Sequence, residues 1–276
     1  MKNIENLKKL YLLSFEEDTE ADADFLFENV FSSAHLISEE INGKTVSMLF
    51  LMDCDLISAD KITDKITKYY YLYAACTHPD YRGRGIMGKL LKKAENYAEQ
   101  TGREGIILKP AKPSLFNFYE NYGFKSFFKV AKGFVNYADL KKFGTCDVFE
   151  IPLEKWAEIR INLLKTKCDA VVSFPEKLLI SAAAYCKVFT DNKGNFAVYE
   201  KRDNTLLCKE CITKTEDLSG LLSMVKTLSE KEKAEKAEIR LPAFKNKNGV
   251  TENTYFSVIS NKTIIADNPY HGFAFD

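Results

Sequence analysis

Apolar residues at positions 4, 7, 10, 11 and 15 keep helical spacing and predict an opening helix over Ile4–Phe15. Acidic, Ala-rich residues follow, and Phe25-Leu26-Phe27 marks a second helix. His35–Glu40 alternates, Asn42-Gly43 supplies a two-residue hairpin turn, and Lys44–Leu56 reads as a strand. A polar stretch, Ser58–Lys68, leads to the strand Tyr69–Thr77. His78–Gly85 must then be a loop. Ile86, Leu90, Leu91, Ala94, Tyr97 and Ala98 return to helical spacing, ending at the C-cap signature Thr101-Gly102. Gly105–Lys109 is a short apolar strand, Ser114 opens a compact helix stopped by Gly123, and Phe124–Val130 and Gly133–Tyr137 read as two closing strands.

After about residue 145 a second series begins. Leu153, Trp156, Ile159 and Leu163 form one helix face, and Pro175 opens another helix over Glu176–Tyr185. Lys187–Thr190, Asn195–Lys201 and Thr205–Thr213 read as a meander. A helix through Leu218, Leu221, Leu222, Val225 and Leu228 precedes the strand Glu238–Leu241. The charged run Glu230–Glu238 reads as a solvated face, and Tyr255–Ile259 can pair with Thr263–Ala266. The order of elements repeats that of the first half without a residue-level repeat. The expected organisation is α/β with a mixed sheet, in two domains, 1–145 and 146–276.

A length of 276 residues suits two ordinary domains, and 39 Lys+Arg balance 39 Asp+Glu. That neutrality argues against a general nucleic-acid binder, which needs a basic excess to neutralise phosphates. No apolar run reaches the ~20 residues of a membrane span. The N-terminus has no uninterrupted apolar core of a secretory signal, so a cytoplasmic protein is expected. Seven cysteines, an odd count, then read as reduced thiols. Cys208-Lys-Glu-Cys211 is the one close pair, and with three histidines elsewhere no metal site is expected.

The chemistry concentrates in Tyr70–Leu91, a strand that runs into a glycine-rich turn and then a helix N-terminus. Gly83, Gly85 and Gly88 allow close backbone approach, and the exposed amides with the helix dipole favour a phosphate or pyrophosphate. Two of the chain's six arginines, Arg82 and Arg84, sit in this turn. The spacing completes neither a P-loop nor a GxGxxG fingerprint.

Tyr81-Arg82-Gly83-Arg84-Gly85-Ile86 resembles the acetyl-coenzyme A signature of the GNAT N-acetyltransferase superfamily, which begins with Gln or Arg and reads x-x-Gly-x-Gly/Ala. Arg82 and Gly85 match. Met87 stands where Gly or Ala is usual, with Gly88 one place later. Downstream, Asn117-Phe118-Tyr119-Glu120-Asn121-Tyr122-Gly123-Phe124 is similar to the superfamily's Asn-rich helix ending in Tyr-Glu-Lys-Leu-Gly-Phe. The resemblance covers roughly residues 1–137. It implies a GNAT fold in which two parallel strands, Tyr70–Thr77 and Gly105–Pro110, splay apart. The pantetheine arm of acetyl-CoA would pair with Ala75, Cys76 and Thr77. Its pyrophosphate would rest on the amides of Gly83, Arg84, Gly85, Ile86, Met87 and Gly88 beside Arg82, and Ser114 and Asn117 would line the coenzyme. Cys76 reads as a small strand residue rather than a nucleophile, and Tyr69, Tyr71 and Tyr73 share a face that can shape an acceptor pocket.

The expected reaction is direct acetyl transfer from acetyl-CoA to a primary amine of a small molecule or peptide. The family pattern makes Tyr119 the proton donor to the departing thiolate. The coenzyme-binding strand carries no carboxylate, which leaves Asp53, Asp55, a water chain or a group from the second half as general base. The tail Asn268–Asp276 mixes aromatics with a turn-forming Asn-Pro. Similarity to tandem, aminoglycoside-acetylating members implies that it docks near the active site, with a carboxylate of Asp276 as base. The other reading has it close the second domain's sheet. The second half resembles a degenerate GNAT-like repeat, without its own coenzyme, forming a pocket wall or an oligomer interface. A homo-oligomer is compatible with the sequence. Two further readings remain: a non-catalytic acetyl-CoA sensor or scaffold, and an aminoacyl-transferring tandem relative.

Overall fold

In the computed structural model, which describes residues 4–58, 65–215, 217–242, 252–260, 266 and 268–273, Asn42 and Gly43 take φ of 52° and 73°. Those left-handed angles suit the Asn-Gly hairpin turn, which folds β1 (His35–Ile41) onto β2 (Lys44–Ser58). Ahead of this hairpin stand α1 (Ile4–Ser14) and α2 (Glu20–Asn29). Thr19 and Asp22 form a reciprocal capping box at the start of α2. Next come β3 (Lys65–Thr77), α3 (Ile86–Gln100), β4 (Ile106–Leu108), α4 (Leu115–Glu120), β5 (Lys125–Asn136) and α5 (Tyr137–Leu140). The second half contributes β6 (Val148–Glu150), α6 (Leu153–Lys165), β7 (Ala170–Ser173), α7 (Glu176–Ala182), β8 (Lys187–Asp191), β9 (Phe196–Arg202) and β10 (Thr205–Ile212). It closes with α8 (Ser219–Glu232), β11 (Lys236–Pro242), β12 (Glu252–Ile259) and β13 (Pro269–Tyr270). The pairing expected for Thr263–Ala266 falls largely outside the described residues.

These strands hydrogen-bond into one mixed sheet in the order β13-β7-β2-β3-β4-β12-β5-β11-β10-β9-β8-β6, with β1 also on β2. The two halves exchange strands. β12 lies between β4 and β5, antiparallel to both. β5 runs on past β12 to pair with β11, Asn136 opposite Lys236. The break expected between Val130 and Gly133 is therefore absent. Gly133 stands inside one twelve-residue strand, opposite Ile239.

The connection β3–α3–β4 joins a parallel pair, and β10–α8–β11 repeats it. In both, the first strand carries a bulge just beyond its pairing with the second. β3 pairs with β4 at Tyr70 and Tyr71, and its register against β2 then shifts between Met48 and Phe50. At this bulge Ala74 takes φ 52°, an uncommon angle for a residue with a β-carbon. β10 pairs with β11 up to Cys208 and bulges at Lys209 against β9. A core cluster that includes Leu7, Tyr11, Tyr71 and Phe128 also takes Trp156, Leu179, Val198 and Phe273 from the second half. Among the described residues no helix is long and apolar enough to cross a membrane.

Candidate active site

Beyond β3 the chain makes a single 3₁₀ turn at Pro79–Tyr81, closed by Tyr81 N–H to the His78 carbonyl (2.9 Å) and Arg82 N–H to that of Pro79 (3.1 Å). Gly83 and Gly85 follow with φ of 73° and 71°, the second capping α3. Side chains are tied back to the turn itself. Arg82 Nε donates to the Thr77 carbonyl (3.0 Å), and Arg84 donates to that of Asp80 (2.8 Å) while lying over the Tyr81 ring. No backbone carbonyl among the described residues accepts from the amides of Gly83 to Gly88. Six successive donors at a helix N-terminus, flanked by two exposed guanidinium groups, are an arrangement whose chemistry suits an anion.

The adjoining strand is open on one edge. After Tyr71 opposite Ile107, β3 has no strand partner on the β4 side among the described residues. His78 N–H donates to the Val46 carbonyl, and Cys76 is in register with Met48. By the alternation of an antiparallel ladder, Cys76 aims its backbone groups at β2, whereas Thr77 aims its own at the gap. Ala75 lies in the bulge, where that alternation does not apply, so of the three strand residues expected to meet a pantetheine Thr77 offers its backbone to the opening. Cys76 is also held from behind, because the buried Ser47 hydroxyl donates to its carbonyl at 3.0 Å and contacts the Thr77 hydroxyl at 2.8 Å. Burial pushes the Cys76 thiol up to about 12, so it stays protonated near neutrality and makes a poor nucleophile.

Ser114 and Asn117 are exposed at the start of α4, and the Ser114 hydroxyl makes no capping bond. Tyr119, on the same short helix, is buried against Phe118 and Phe124, with ring centroids at 5.3 and 5.6 Å. Its hydroxyl has no hydrogen-bond partner among the described residues, and burial pushes the phenol up to about 12. Tyr119 shares a cluster with Tyr70, Leu72 and Leu108, against which Ala75, Met87 and Tyr122 pack half-buried. Gly88 is buried there with the Tyr122 ring over it, so its missing side chain serves packing. Tyr69, Tyr71 and Tyr73 lie on the opposite face. The first two are buried and Tyr73 alone is half-exposed.

The two hairpin carboxylates are placed elsewhere. Asp53 pairs with Arg103, beyond the C-terminal end of α3, and Asp55 with Lys68 at 3.1 Å. They stand opposite Tyr70 and Lys68, five or more residues before Ala75 on β3, on the order of 16 Å along the strand. The tail does return to the sheet. Pro269 and Tyr270 form β13 on β7, and the His271 ring sits 5.1 Å from that of Tyr71 on β3. Asp276 lies outside the described residues.

A buried ion pair, Arg160–Glu210, was missed by sequence reasoning. Its signal was a carboxylate inside the apolar run Leu206–Ile212. All seven cysteines are free thiols, with Cys208 and Cys211 buried in a second core cluster.

A family model described as an acetyltransferase (GNAT) domain matches residues 2–127. The fold is that of solved GNAT structures. A probable N-acyltransferase from Enterococcus faecalis V583 aligns over 93% of this chain and 69% of its own, at 13% identity and a TM-score of 0.71. A GCN5-related N-acetyltransferase from Kribbella flavida aligns over 93% and 68%, at 15% identity and 0.66. Eis1 from Mycobacterium abscessus aligns over 92% and 70%, at 12% identity and 0.64. A comparison with the curated proteins found no match.

Proposed function

Taking as premise that residues 2–127 form a GNAT acetyltransferase domain, we propose that the protein moves an acetyl group from acetyl-CoA to a primary amine of a small molecule or peptide. The observation that carries this reading is the junction of two open features. Among the described residues, β3 beyond Tyr71 has no strand partner on the β4 side, and one 3₁₀ turn later the amides of Gly83–Gly88 have no backbone acceptor. The coenzyme pyrophosphate lies on those amides between Arg82 and Arg84. Its pantetheine arm takes the backbone groups of Ala75 and Thr77, and Ser114 and Asn117 face it from α4.

The neutral amine attacks the thioester carbonyl, forming the new C–N bond and a tetrahedral oxyanion that the Thr77 or Ala75 amide hydrogen meets. Collapse breaks the C–S bond. Tyr119, un-ionised near neutrality, donates a hydrogen bond to the departing thiolate. The nitrogen's surplus proton goes to the side-chain carboxylate of Asp276, which lies outside the described residues.

The second half forms a wall of the acceptor site and binds no coenzyme of its own. At the start of α8, the Asp217 carboxylate accepts from the Ser219 amide at 3.0 Å, placing negative charge where a pyrophosphate would need donors. Seven free thiols suit a reducing compartment such as the cytoplasm. The test is release of free coenzyme thiol from acetyl-CoA across a panel of primary amines. Amine-dependent release supports the assignment, and coenzyme binding without turnover on any amine replaces it with a sensor or scaffold.

A further inference from the structure

An amine acceptor arrives with a proton that the transfer itself does not remove. A primary alkylamine resembles the lysine side chain, whose ammonium titrates at about 10.4, so only about one molecule in 2,500 is neutral at pH 7. Attack needs the neutral form. One proton must therefore leave before the new bond forms, besides the surplus proton lost after it.

A chain of hydroxyls runs from the open part of β3 to a carboxylate. Tyr11, on α1, is fully buried, and its hydroxyl donates to Asp18 Oδ2 in the loop between α1 and α2. It also shares a side-chain hydrogen bond with Tyr73 of β3. A phenol has one proton to give. Tyr11 gives its own to the carboxylate, so Tyr73 donates to Tyr11, and the Tyr73 oxygen can only accept from any further group. The chain thus has one polarity, from Tyr73 towards Asp18. Packing holds both rings in place. Phe15 stacks on Tyr11 at 4.6 Å, and Phe31 touches Tyr11 and Tyr73 with centroids at 6.3 and 5.9 Å. Burial above all, with Tyr73 and Asp18 beside it, pushes the Tyr11 phenol far above its ordinary range, so it stays a hydroxyl and can only hand protons on.

Both ends of the chain, Tyr73 and Asp18, are half-exposed. β3 and β4 part after Tyr71 and Ile107, and a coenzyme arm that follows the open edge from the Gly83–Gly88 turn heads for that vertex. Tyr73 stands two residues past the vertex, about 7 Å of strand, and directly before the bulged Ala74. It packs on the face of β3 opposite Tyr119. The departing thiolate and the arriving amine therefore have their proton partners on opposite sides of the strand.

We propose that Tyr73, Tyr11 and Asp18 form a proton relay that neutralises the ammonium group of the arriving acceptor. This rests on the reading of the protein as an acetyltransferase. An ammonium N–H proton moves to Tyr73 Oη, the Tyr73 proton to Tyr11 Oη, and the Tyr11 proton to Asp18 Oδ2. Both phenols end as they began, the amine is neutral, and Asp18 releases the proton to water. Tyr73 is the catalytic member, in contact with the amine, and Tyr11 and Asp18 act through it.

The test uses ethylamine and its mono-, di- and trifluoro analogues at pH 7 with acetyl-CoA. The four are alike in size, and each fluorine lowers the basicity until the trifluoro amine is largely neutral in solution. Tyr73→Phe, Tyr11→Phe and Asp18→Asn should each lose about 100-fold or more in kcat/KM on ethylamine, at unchanged coenzyme Kd. The loss should shrink along the series and vanish on trifluoroethylamine, which brings no proton to shed. Tyr73→Phe combined with Asp18→Asn should lose no more than either alone, because the chain acts as one unit. Wild-type rates on ethylamine, equal losses on every amine, or losses that multiply overturn the relay; equal losses are what displaced packing would give. Tyr73→Phe, at a half-exposed position, carries the comparison alone if the other variants do not fold. A wild type that acetylates none of the four overturns the relay, and one that acetylates no primary amine overturns the transfer reading as well.

Discussion

The ring of Tyr122 occupies the space that a β-carbon on Gly88 would need, so the backbone of α3 packs directly on that ring. Gly88→Ala should therefore cost about 1–3 kcal/mol of stability through forced repacking. With Tyr122→Ala already in place, the same change should stabilise by up to about 1 kcal/mol, because Ala is the better helix former. Urea unfolding of the four proteins reads this reversal, and a loss of equal size in both backgrounds contradicts it.

Tyr119→Phe removes one hydroxyl and keeps the ring against Phe118 and Phe124. Coenzyme affinity should hold while turnover slows on the order of 10²–10⁴-fold, the usual cost of losing a general acid. Wild-type turnover at every pH, under conditions where chemistry limits the rate, would leave Tyr119 a packing residue.

The same phenol makes an alkaline signature. Its folded value is raised to about 12, against an ordinary value of 10. Folding thus favours the neutral form, and the associated stability is complete below pH 10 and lost as pH rises from 10 towards 12. Between pH 8 and pH 11 the unfolding free energy of Tyr119→Phe should gain about 1 kcal/mol on the wild type. A gap that stays constant over this range contradicts the burial-driven shift.

Removing Ala274–Asp276 should abolish most turnover and leave coenzyme binding and the melting temperature intact, since the truncation keeps His271 and Phe273, whose backbone bonds to Arg160 and Glu210 hold the described part of the tail. A fully active truncation would show that the proton leaves by another route, such as a water chain.

Much of the first half was legible from local pattern. The helical spacing from Ile86 to Ala98, the glycines of the turn and the alternation around Asn42-Gly43 each act within a few residues. What stayed hidden depends on distant partners. Gly133 reads as a strand break, yet β5 continues because β12 and β11 come from the other half to pair with it. The Ala74 bulge carries no local signature, since nothing in Tyr-Ala-Ala-Cys demands a positive φ, and only the register against β2 reveals it. The open amides at Gly83–Gly88 were expected, whereas the turning of Cys76 towards β2 follows from pairing parity alone. Arg160 and Glu210 stand fifty positions apart, too far for periodicity to join them.

The central claim is that one acetyl-CoA binds each chain, at the turn Arg82–Gly88. Gly85 sits there at φ 71° with open space beyond its Cα. Gly85→Glu would impose a strained backbone, costing roughly 1–2 kcal/mol, and would put a carboxylate beside the pyrophosphate. Calorimetric titration with acetyl-CoA, run on the wild type and on folded Gly85→Glu, decides the matter. The account predicts one site per chain in the wild type and a severe loss of affinity in the variant. No binding to the wild type, a second site of similar affinity, or the same affinity in Gly85→Glu would contradict it.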